Sequence, residues 1–239
     1  MIALLCSVEA EAELLLETMT RTSSGRSGSK PLIQGRLAGS EVLLCLGGMG
    51  KANAAHATAL LLSRPGVDAL ILFGVAGAYP ASGARIGDLA IATEEIAGDE
   101  GVLTPEGFRD TEYIGIPLVR TASARFFNAF PASESLLERF LRALASFPVQ
   151  VHRGPFVTVS TCSGTSLRAR ELEQRYRGVC ENMEGAAAAQ TALHHGVPWA
   201  EVRGISNMTE DRDLRTWDIP GAAAVAQKAV LAIVEALGR

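Results

Sequence analysis

The sequence predicts an α/β fold with three layers, in which a central mixed β-sheet is flanked by helices on both faces. Short apolar runs alternate along the chain with Ala/Leu-rich segments of helical length, which is the pattern of a sheet covered by helices. Gly39 and Ser40 separate two apolar runs and predict a hairpin, so the sheet should contain antiparallel pairs. The length of 239 residues is compatible with a single domain over residues 1–239.

Each predicted strand is a short apolar run bounded by turn-forming or charged residues, and each predicted helix is a longer Ala/Leu-rich segment. The predicted strands are Ile2–Cys6, Leu32–Leu37, Glu41–Leu46, Ala69–Phe73, Asp88–Ala92, Phe156–Ser160 and Ala200–Ile205. The predicted helices are Glu9–Thr20, Ala52–Leu62, Ser133–Leu144, Leu167–Arg177, Glu184–His195 and Gly221–Leu237. In folds of this class, ligands bind beyond the carboxyl ends of the strands.

The composition excludes several classes of function. The formal net charge is −4 without a strongly basic block, which argues against nucleic-acid binding; the basic residues between Arg21 and Lys30 indicate a solvated loop. The apolar runs are of strand length or are interrupted, and the first residues show neither a basic region nor a cleavage site, so neither a membrane segment nor a signal peptide is expected. Four cysteines without CxxC spacing indicate reduced thiols in a cytoplasmic protein. Neither a metal nor another cofactor is expected, because no His/Cys/Asp group has metal-ligand spacing.

Polar residues stand at the ends of three predicted elements. Glu11 follows the first strand, Glu184 opens a helix, and Arg203, Ser206 and Asn207 end the last strand. Acidic residues at a helix start complement the helix dipole and are ordinary there. A carboxylate can also activate water as a general base. These residue types alone are compatible with a structural or a catalytic role.

The segments Asn182–Ala186 and Val202–Asn207 resemble the nucleoside phosphorylase/nucleosidase family, whose enzymes cleave the N-glycosidic bonds of nucleosides. The resemblance covers nearly the whole chain and is strongest between residues 182 and 219. It implies a nucleoside phosphorylase-like sheet with flanking helices, a small-molecule nucleoside as substrate, and an active site built from these segments.

The resemblance also implies a role for each polar residue. Glu11 falls at the position of the general base, and Arg203 helps to hold the nucleophilic water. Glu184 accepts hydrogen bonds from the ribose 2′- and 3′-hydroxyls, and Met183 packs on the sugar. A carboxylate near the ribose favours an oxocarbenium-like transition state, because positive charge grows on the sugar.

Two glycine-rich turns extend the resemblance. Leu46–Lys51 is similar to a nucleosidase turn in which Met49 would flank the 5′ side of the nucleoside, and Phe73–Ala78 is similar to a turn in which Val75 replaces a common serine. Phosphorylases of the family bind phosphate with a Gly-Asp-Pro…Arg motif after the first strand. Residues Ser7–Leu16 contain neither that motif nor a basic residue, and carboxylates would repel phosphate. Hydrolysis is therefore expected rather than phosphorolysis.

The resemblance places Asn207 against N7 and position 6 of the base, and it places Ser206 among the substrate-binding residues. An amide NH₂ donates to O6 of hypoxanthine and the amide carbonyl accepts from a protonated N7, whereas the adenine amino group would face a second donor. The stretch that continues to Ile219 closely resembles futalosine hydrolases, the menaquinone-pathway branch of this family. The substrate of that branch is an inosine-like nucleoside with a 3-carboxyphenyl-oxo-propyl group at the 5′ end. Trp217 falls where related nucleosidases place an aromatic residue of the 5′ pocket, and its large ring suits an aryl substituent.

The expected reaction is the hydrolysis of futalosine to hypoxanthine and dehypoxanthine futalosine. Alternatives are a methylthioadenosine/adenosylhomocysteine nucleosidase, an inosine-type nucleosidase or phosphorylase, and a non-catalytic nucleoside-binding or storage protein. The non-catalytic alternative is disfavoured because Glu11, Glu184 and Arg203 are retained.

The stretch Gly98–Leu118 is long, is interrupted by Gly and Pro, and lacks clear periodicity. It holds Phe108 and Tyr113 among few apolar neighbours. In related nucleosidases such a loop closes the 5′ pocket of a partner subunit, so a homo-oligomer of at least two subunits is expected.

Overall fold

The computed structural model describes residues 1–238. Its strands are β1 (Ile2–Cys6), β2 (Thr20–Ser27), β3 (Lys30–Leu37), β4 (Ser40–Leu46), β5 (Ala69–Ala78), β6 (Leu89–Ala97), β7 (Val102–Thr104), β8 (Gly107–Arg109), β9 (Val119–Arg120), β10 (Arg125–Phe126), β11 (Ala129–Pro131), β12 (Val151–Thr158), β13 (Cys180–Asn182) and β14 (Trp199–Met208). Its helices are α1 (Glu13–Thr18), α2 (Lys51–Leu62), α3 (Thr111–Ile114), α4 (Glu134–Ala143), α5 (Ser166–Tyr176), α6 (Gly185–His195) and α7 (Ile219–Leu237).

Strand β1 shows how the layers arise. It lies parallel to β4 on one side and to β5 on the other. Its side chains alternate between two hydrophobic clusters: Leu4 and Cys6 belong to one, and Ala3 and Leu5 belong to the other. The first cluster contains residues of α1, α4 and α7, and the second contains residues of α2 and α6. The predicted three-layer α/β/α fold is therefore confirmed.

The large sheet is mixed and partly closed. Its strand order is β11-β6-β12-β13-β5-β1-β4-β3-β2, and β14 pairs with both β5 and β6. Strand β14 is parallel to β5 and antiparallel to β6. Because it pairs with both, the strands β5, β13, β12, β6 and β14 form a closed ring. The sequence pattern predicts the individual strands but not this closure, which depends on pairings between distant segments.

The hairpin predicted at Gly39 and Ser40 is confirmed between β3 and β4. Ala38 and Gly39 both have positive φ angles, of 46° and 85°, as the tight hairpin turns that match strand twist require. The expected solvated loop from Arg21 to Lys30 is wrong in part: most of it is the exposed edge strand β2, paired with β3. Lys30 is buried and begins β3.

Helix boundaries follow the predictions closely except at the first helix. The segment predicted as Glu9–Thr20 is a 3₁₀ turn over Glu9–Glu11 followed by the six-residue α1. The turn places Glu11 outside the helix. The stretch Gly98–Leu118, for which no regular structure was predicted, contains the hairpin β7–β8 and the single-turn helix α3.

Strands β5 and β14 are both longer than predicted, and they reach Ala78 and Met208. Helix α7 packs on these two strands, and Gly204 makes the close approach possible. A Cβ at Gly204 would lie 2.0 Å from the Ala222 carbonyl oxygen. By length and a mean hydropathy of 1.4 alone, α7 could also span a membrane, but Ala226, Val230 and other residues of one face are buried in the core. It is the core helix of the sheet.

Candidate active site

Glu11 is a nearly buried carboxylate held by three backbone N–H groups. Its Oε2 accepts from Ser7 N at 2.9 Å and Val8 N at 3.2 Å, which lie at the end of β1. Its Oε1 accepts from Val75 N at 3.0 Å, on the neighbouring β5. The side chain is 5% exposed. The 3₁₀ turn after β1 therefore presents one fixed carboxylate at the carboxyl edge of the sheet.

Gly74 allows the Glu11 carboxylate to reach β5. A Cβ at this position would lie 2.5 Å from Glu11 Oε1 and 3.0 Å from Arg203 Nη1. Both functional groups thus approach the same point of the β5 main chain, and a side chain would exclude them. This is a position where close backbone approach requires glycine.

Arg203 carries a buried positive charge in the middle of the site. Its Nε donates to Glu201 Oε1 at 2.7 Å, and its Nη1 donates to Val75 O at 3.1 Å and to Glu184 Oε2 at 3.3 Å. Burial opposes the charged form, but the carboxylates of Glu201, Glu184 and Glu11 outweigh it and raise the pKa of Arg203. The guanidinium is therefore permanently charged and fixed in orientation.

Glu184 connects three segments of the site. Its Oε2 faces Arg203, and its Oε1 accepts from Gly50 N at 2.9 Å, in the glycine-rich turn that precedes α2. Asn182 fixes the start of α6, since its Oδ1 accepts from the N–H groups of Glu184 and Gly185 at 2.9 and 2.7 Å. Met183 lies between these two residues and is partly exposed. The amide of Asn182 thus has a local capping function.

Asn207 follows an irregularity in β14. The pairing with β5 shifts between Ile205 and Asn207, so Ser206 occupies a bulge, and such bulges redirect side chains near active sites. Ser206 Oγ donates to Asn207 Oδ1 at 2.8 Å, and Asn207 Nδ2 donates to Met208 O at 3.1 Å. The side chain of Asn207 is only partly buried and lies beside Gly77 of β5.

Trp217 lies beside this strand end. The N–H of Asp218 donates to Ser206 O at 2.8 Å, which draws the Trp217 segment to the end of β14. The Arg212 guanidinium lies 4.7 Å from the centre of the Trp217 ring, a cation–π distance. Met49, in the glycine-rich turn, is 63% exposed. Trp217 and Arg212 therefore lie near the end of β14, and Met49 stands exposed in the turn that Glu184 contacts through Gly50.

The structure gathers the predicted site residues around the carboxyl ends of β1, β5 and β14. Val75 takes part through its main chain, which accepts from Arg203 and donates to Glu11, so the valine side chain is not needed for this bridge. A small cavity beside them is lined by Ser7, Gly48, Glu184, Arg203 and apolar residues of β1 and β5. The arrangement offers the carboxylates of Glu11 and Glu184 near one guanidinium, a geometry suited to activating water and to stabilising a developing cation.

Several residues of the site were missed by the sequence reasoning. Glu201 and Glu95 are fully buried behind Arg203. Lys30 donates to Gly47 O and, at 2.5 Å, to Asn53 Oδ1, and so anchors the glycine-rich turn. A charged residue two positions before Arg203 in an apolar strand, on the same face, was the available signal for Glu201. Lys30 gave no signal, because it ends a stretch of Ser, Gly and basic residues that is typical of an exposed loop.

A buried glutamate supports the loop that follows β12. Glu181 accepts from Ser163 N at 2.7 Å and from Ser163 Oγ at 2.6 Å. Burial raises the pKa of Glu181, and the Ser163 hydrogen bonds oppose that rise. The β13 strand pairs Glu181 with Gly77, so this loop is held next to the strand segment that Asn207 also contacts.

The chain is similar in sequence to proteins of one known family. A family model described as the phosphorylase superfamily matches residues 1–238. A futalosine hydrolase of Thermus thermophilus is 36% identical over 183 residues, which cover 77% of this chain and 76% of that protein. A 5′-methylthioadenosine/S-adenosylhomocysteine nucleosidase of Maridesulfovibrio salexigens is 31% identical over 212 residues, with coverage of 88% and 87%.

A solved structure shows that the likeness extends to the fold. The 5′-methylthioadenosine/S-adenosylhomocysteine nucleosidase of Neisseria meningitidis, in complex with methylthio-immucillin-A, superposes with a TM-score of 0.85 at 28% identity over 98% of both chains. These relatives are named as nucleosidases and hydrolases. With a family match over residues 1–238 and relatives above 30% identity over most of its length, the chain belongs to the phosphorylase superfamily.

Proposed function

We propose that the protein is a futalosine hydrolase, which cleaves the N-glycosidic bond of futalosine to release hypoxanthine and dehypoxanthine futalosine in menaquinone biosynthesis. The observation that carries this proposal is the amide of Asn207 at the bulged end of β14, in the site that also contains Glu11 and Arg203. The similarity to a named futalosine hydrolase at 36% identity supports it.

In the proposed reaction, Glu11 is the general base. Its three backbone donors hold the carboxylate in one position, and Arg203 helps to hold the attacking water near it. Phosphate is not expected to replace water, because the carboxylates of Glu11 and Glu184 would repel a phosphate anion. The product is then a free sugar and not a sugar 1-phosphate.

Glu184 and Met183 are proposed to hold the ribose. Glu184 Oε1 and Oε2 contact Gly50 N and Arg203 Nη1, and a carboxylate oxygen has lone pairs left for ribose hydroxyls. Its negative charge also stabilises the sugar as positive charge develops in the transition state. Met49, in the same glycine-rich turn as Gly50, would flank the 5′ side.

Asn207 is proposed to select the base, and Ser206 to orient its amide. The Ser206 hydroxyl donates to the carbonyl oxygen of Asn207, which leaves the amide NH₂ as the group for O6 of hypoxanthine. The same carbonyl oxygen retains a second lone pair for a protonated N7. Adenine would place its amino donor against the amide donor, a mismatch that costs orders of magnitude in rate.

Trp217 and Arg212 suit the 5′ substituent of futalosine. An indole offers an aromatic surface for the phenyl ring of the substrate. Arg212 stacks on this indole and makes no hydrogen bond or ion pair within residues 1–238, whereas the nearby Arg215 is paired with Asp213 at 2.7 Å. A guanidinium without an acidic partner beside an aromatic surface fits a carboxyphenyl group.

A methylthioadenosine/adenosylhomocysteine nucleosidase is the second candidate, because a relative of that name is 31% identical to this chain. A methylthio group, however, carries no charge for Arg212 to meet, and adenine does not match the Asn207 amide. An inosine-type nucleosidase would use Asn207 in the same way and leave Arg212 unused. A phosphorylase would need a phosphate site, and a storage protein would not need a fixed base at Glu11.

We further infer that the protein is a cytoplasmic homo-oligomer in which the segment 98–118 forms part of the interface. Leu103, Tyr113, Ile114 and Ile116 are large apolar residues that all stand exposed in this one segment. Phe108, in contrast, packs within the chain, 4.8 Å beneath the Arg175 guanidinium. Exposed apolar side chains in this segment suit contact with a partner subunit, which we propose closes the 5′ pocket.

The first prediction concerns the base. Glu11→Gln should lose about 10²–10⁴-fold in kcat, the usual contribution of a general base. The exposed Glu9, in the same 3₁₀ turn, provides the control, and Glu9→Gln should keep normal turnover. Product analysis should show a free sugar at any phosphate concentration. A phosphate-dependent reaction, or a Glu11→Gln enzyme with near-normal kcat, would contradict the assignment.

The second prediction concerns base selection. Asn207→Asp should lower kcat/KM for futalosine by about 10² or more, because the carboxylate cannot donate to O6. The same change should raise the relative activity on methylthioadenosine, since a protonated Asp donates to N7 and accepts from the adenine amino group. The measurement is the kcat/KM ratio for the two nucleosides in both forms. An unchanged ratio would refute the role of Asn207.

The third prediction concerns the 5′ group. Arg212→Gln should raise KM for futalosine about tenfold, the range for loss of a hydrogen bond to a charged group, and should leave inosine cleavage unchanged. Arg215→Gln removes a similar charge three residues away and should affect neither substrate. Equal effects of both variants, or equal effects on both nucleosides, would exclude a specific carboxylate contact.

The fourth prediction concerns assembly. Ile116→Glu, at a side chain that is 66% exposed, should shift the protein toward monomers in light scattering, because a charge at an apolar interface is costly to bury. Leu167→Glu, at a similarly exposed position on α5, should leave the assembly unchanged. An unmodified protein that is monomeric and active at micromolar concentration would remove the proposal.

A further inference from the structure

Two carboxyl groups, those of Glu95 and Glu201, are fully buried behind Arg203. Glu95 Oε1 accepts from Asn182 Nδ2, and Glu95 Oε2 accepts from Thr158 Oγ1, both at 2.6 Å. Glu201 Oε1 accepts from Arg203 Nε at 2.7 Å. Glu201 Oε2 has no hydrogen-bond partner among residues 1–238, an arrangement that is costly for a carboxylate oxygen.

The two carboxyl groups meet beneath the start of α6. A Cβ at Gly185 would lie 1.9 Å from Glu95 Oε1 and 2.6 Å from Glu201 Oε2, so the glycine leaves room for both oxygens. Two carboxyl groups this close and this buried cannot both be ionised at neutral pH. Burial, and then the charge of Glu201, raise the pKa of Glu95 well above its ordinary value. The proton of Glu95 supplies the donor that Glu201 Oε2 lacks.

Of this buried pair, Glu95 carries the proton and Glu201 faces Arg203. The bond from Arg203 Nε to Glu201 is 2.7 Å, and the bond from Nη1 to Glu184 is 3.3 Å. Shorter charge-assisted bonds are the stronger ones, so Glu201 offsets more of the guanidinium charge than Glu184 does. Without Glu201, the guanidinium would attract Glu184 more strongly, so less of the Glu184 charge would act on the sugar. The uncompensated guanidinium would also repel the reacting sugar, whose developing charge has the same sign.

We propose that Glu201, with Glu95 as its proton-bearing partner, is a positioning residue that balances the charge of Arg203 and keeps the Glu184 carboxylate available to the cationic sugar of the transition state. The inference rests on the proposed cleavage of a nucleoside, and it is independent of which base or 5′ group the nucleoside carries.

The test compares binding of a cationic and a neutral ligand that share one base. The 9-deazahypoxanthine iminoribitol carries a positive charge in its sugar ring, whereas 9-deazainosine is neutral and cannot be cleaved; the 9-deazaadenine pair replaces them if the enzyme takes adenine. Glu201→Gln should lose on the order of tenfold or more in affinity for the cationic ligand and much less for the neutral one. The kcat should fall with the cationic affinity, while KM changes little.

Two further variants separate charge from shape. The glutamine in Glu95→Gln is neutral, as the protonated acid is. It keeps a donor for Glu201 but loses the hydrogen bond from Asn182. The ratio of affinities for the cationic and the neutral ligand should therefore stay close to that of the unmodified protein. The double variant Glu95→Gln/Glu201→Gln should lose more of that ratio than Glu201→Gln alone, because Glu95 can no longer ionise in compensation. Glu94→Gln, at the partly exposed neighbour of Glu95 on β6, is the control and should change nothing.

A spectroscopic measurement checks the proton without relying on the Glu201 variants. Infrared spectra at neutral pH should contain the carbonyl stretch of a protonated carboxylic acid, which is lost in Glu95→Gln and kept in Glu94→Gln. Its absence from the unmodified protein would overturn the proposed pair. Equal losses of cationic and neutral ligand affinity in the Glu201 variants would reduce Glu201 to a structural role and overturn the proposal. Both results can be obtained whether or not futalosine is the substrate.

Discussion

The rest of the site depends on the ion pairs that the buried guanidinium of Arg203 makes with Glu184 and Glu201. Removal of a charge from water is costly, and removal of one partner of such a buried pair typically costs about 3–5 kcal/mol. Glu201 lies on the same strand, and Glu184 reaches Arg203 from the start of α6. The charge therefore fixes the position of α6 relative to β14, and through the Gly50 bond of Glu184 it fixes the glycine-rich turn as well.

The main chain of β5 joins this ionic cluster to the proposed base. Val75 N donates to Glu11 and Val75 O accepts from Arg203, so one peptide segment aligns a carboxylate and a guanidinium without direct pairing between them. The bridge requires that Gly74 carry no side chain. It does not require any particular side chain at position 75, which explains why valine can stand where relatives are expected to have serine.

The sequence predicts the parts of this structure that depend on local pattern. Strand β1 and the ends of most helices follow from apolar runs and helical segments, and Glu11, Glu184 and Arg203 come together because carboxyl ends of neighbouring strands meet. The sequence does not predict what depends on distant pairing. The ring closed by β14, the edge strand β2 in a polar stretch, and the meeting of Glu95 with Glu201 under Gly185 all join segments far apart in the chain.

The proposed choice of a 6-oxopurine rests on the Asn207 amide, and one comparison tests that proposal directly. The protein is incubated with futalosine, inosine and methylthioadenosine, without and with phosphate, and the released base and sugar are quantified. The account predicts that futalosine gives the highest kcat/KM, that hypoxanthine is released as fast without phosphate as with it, and that methylthioadenosine is nearly inert. Preferential cleavage of methylthioadenosine, or a requirement for phosphate, would contradict it.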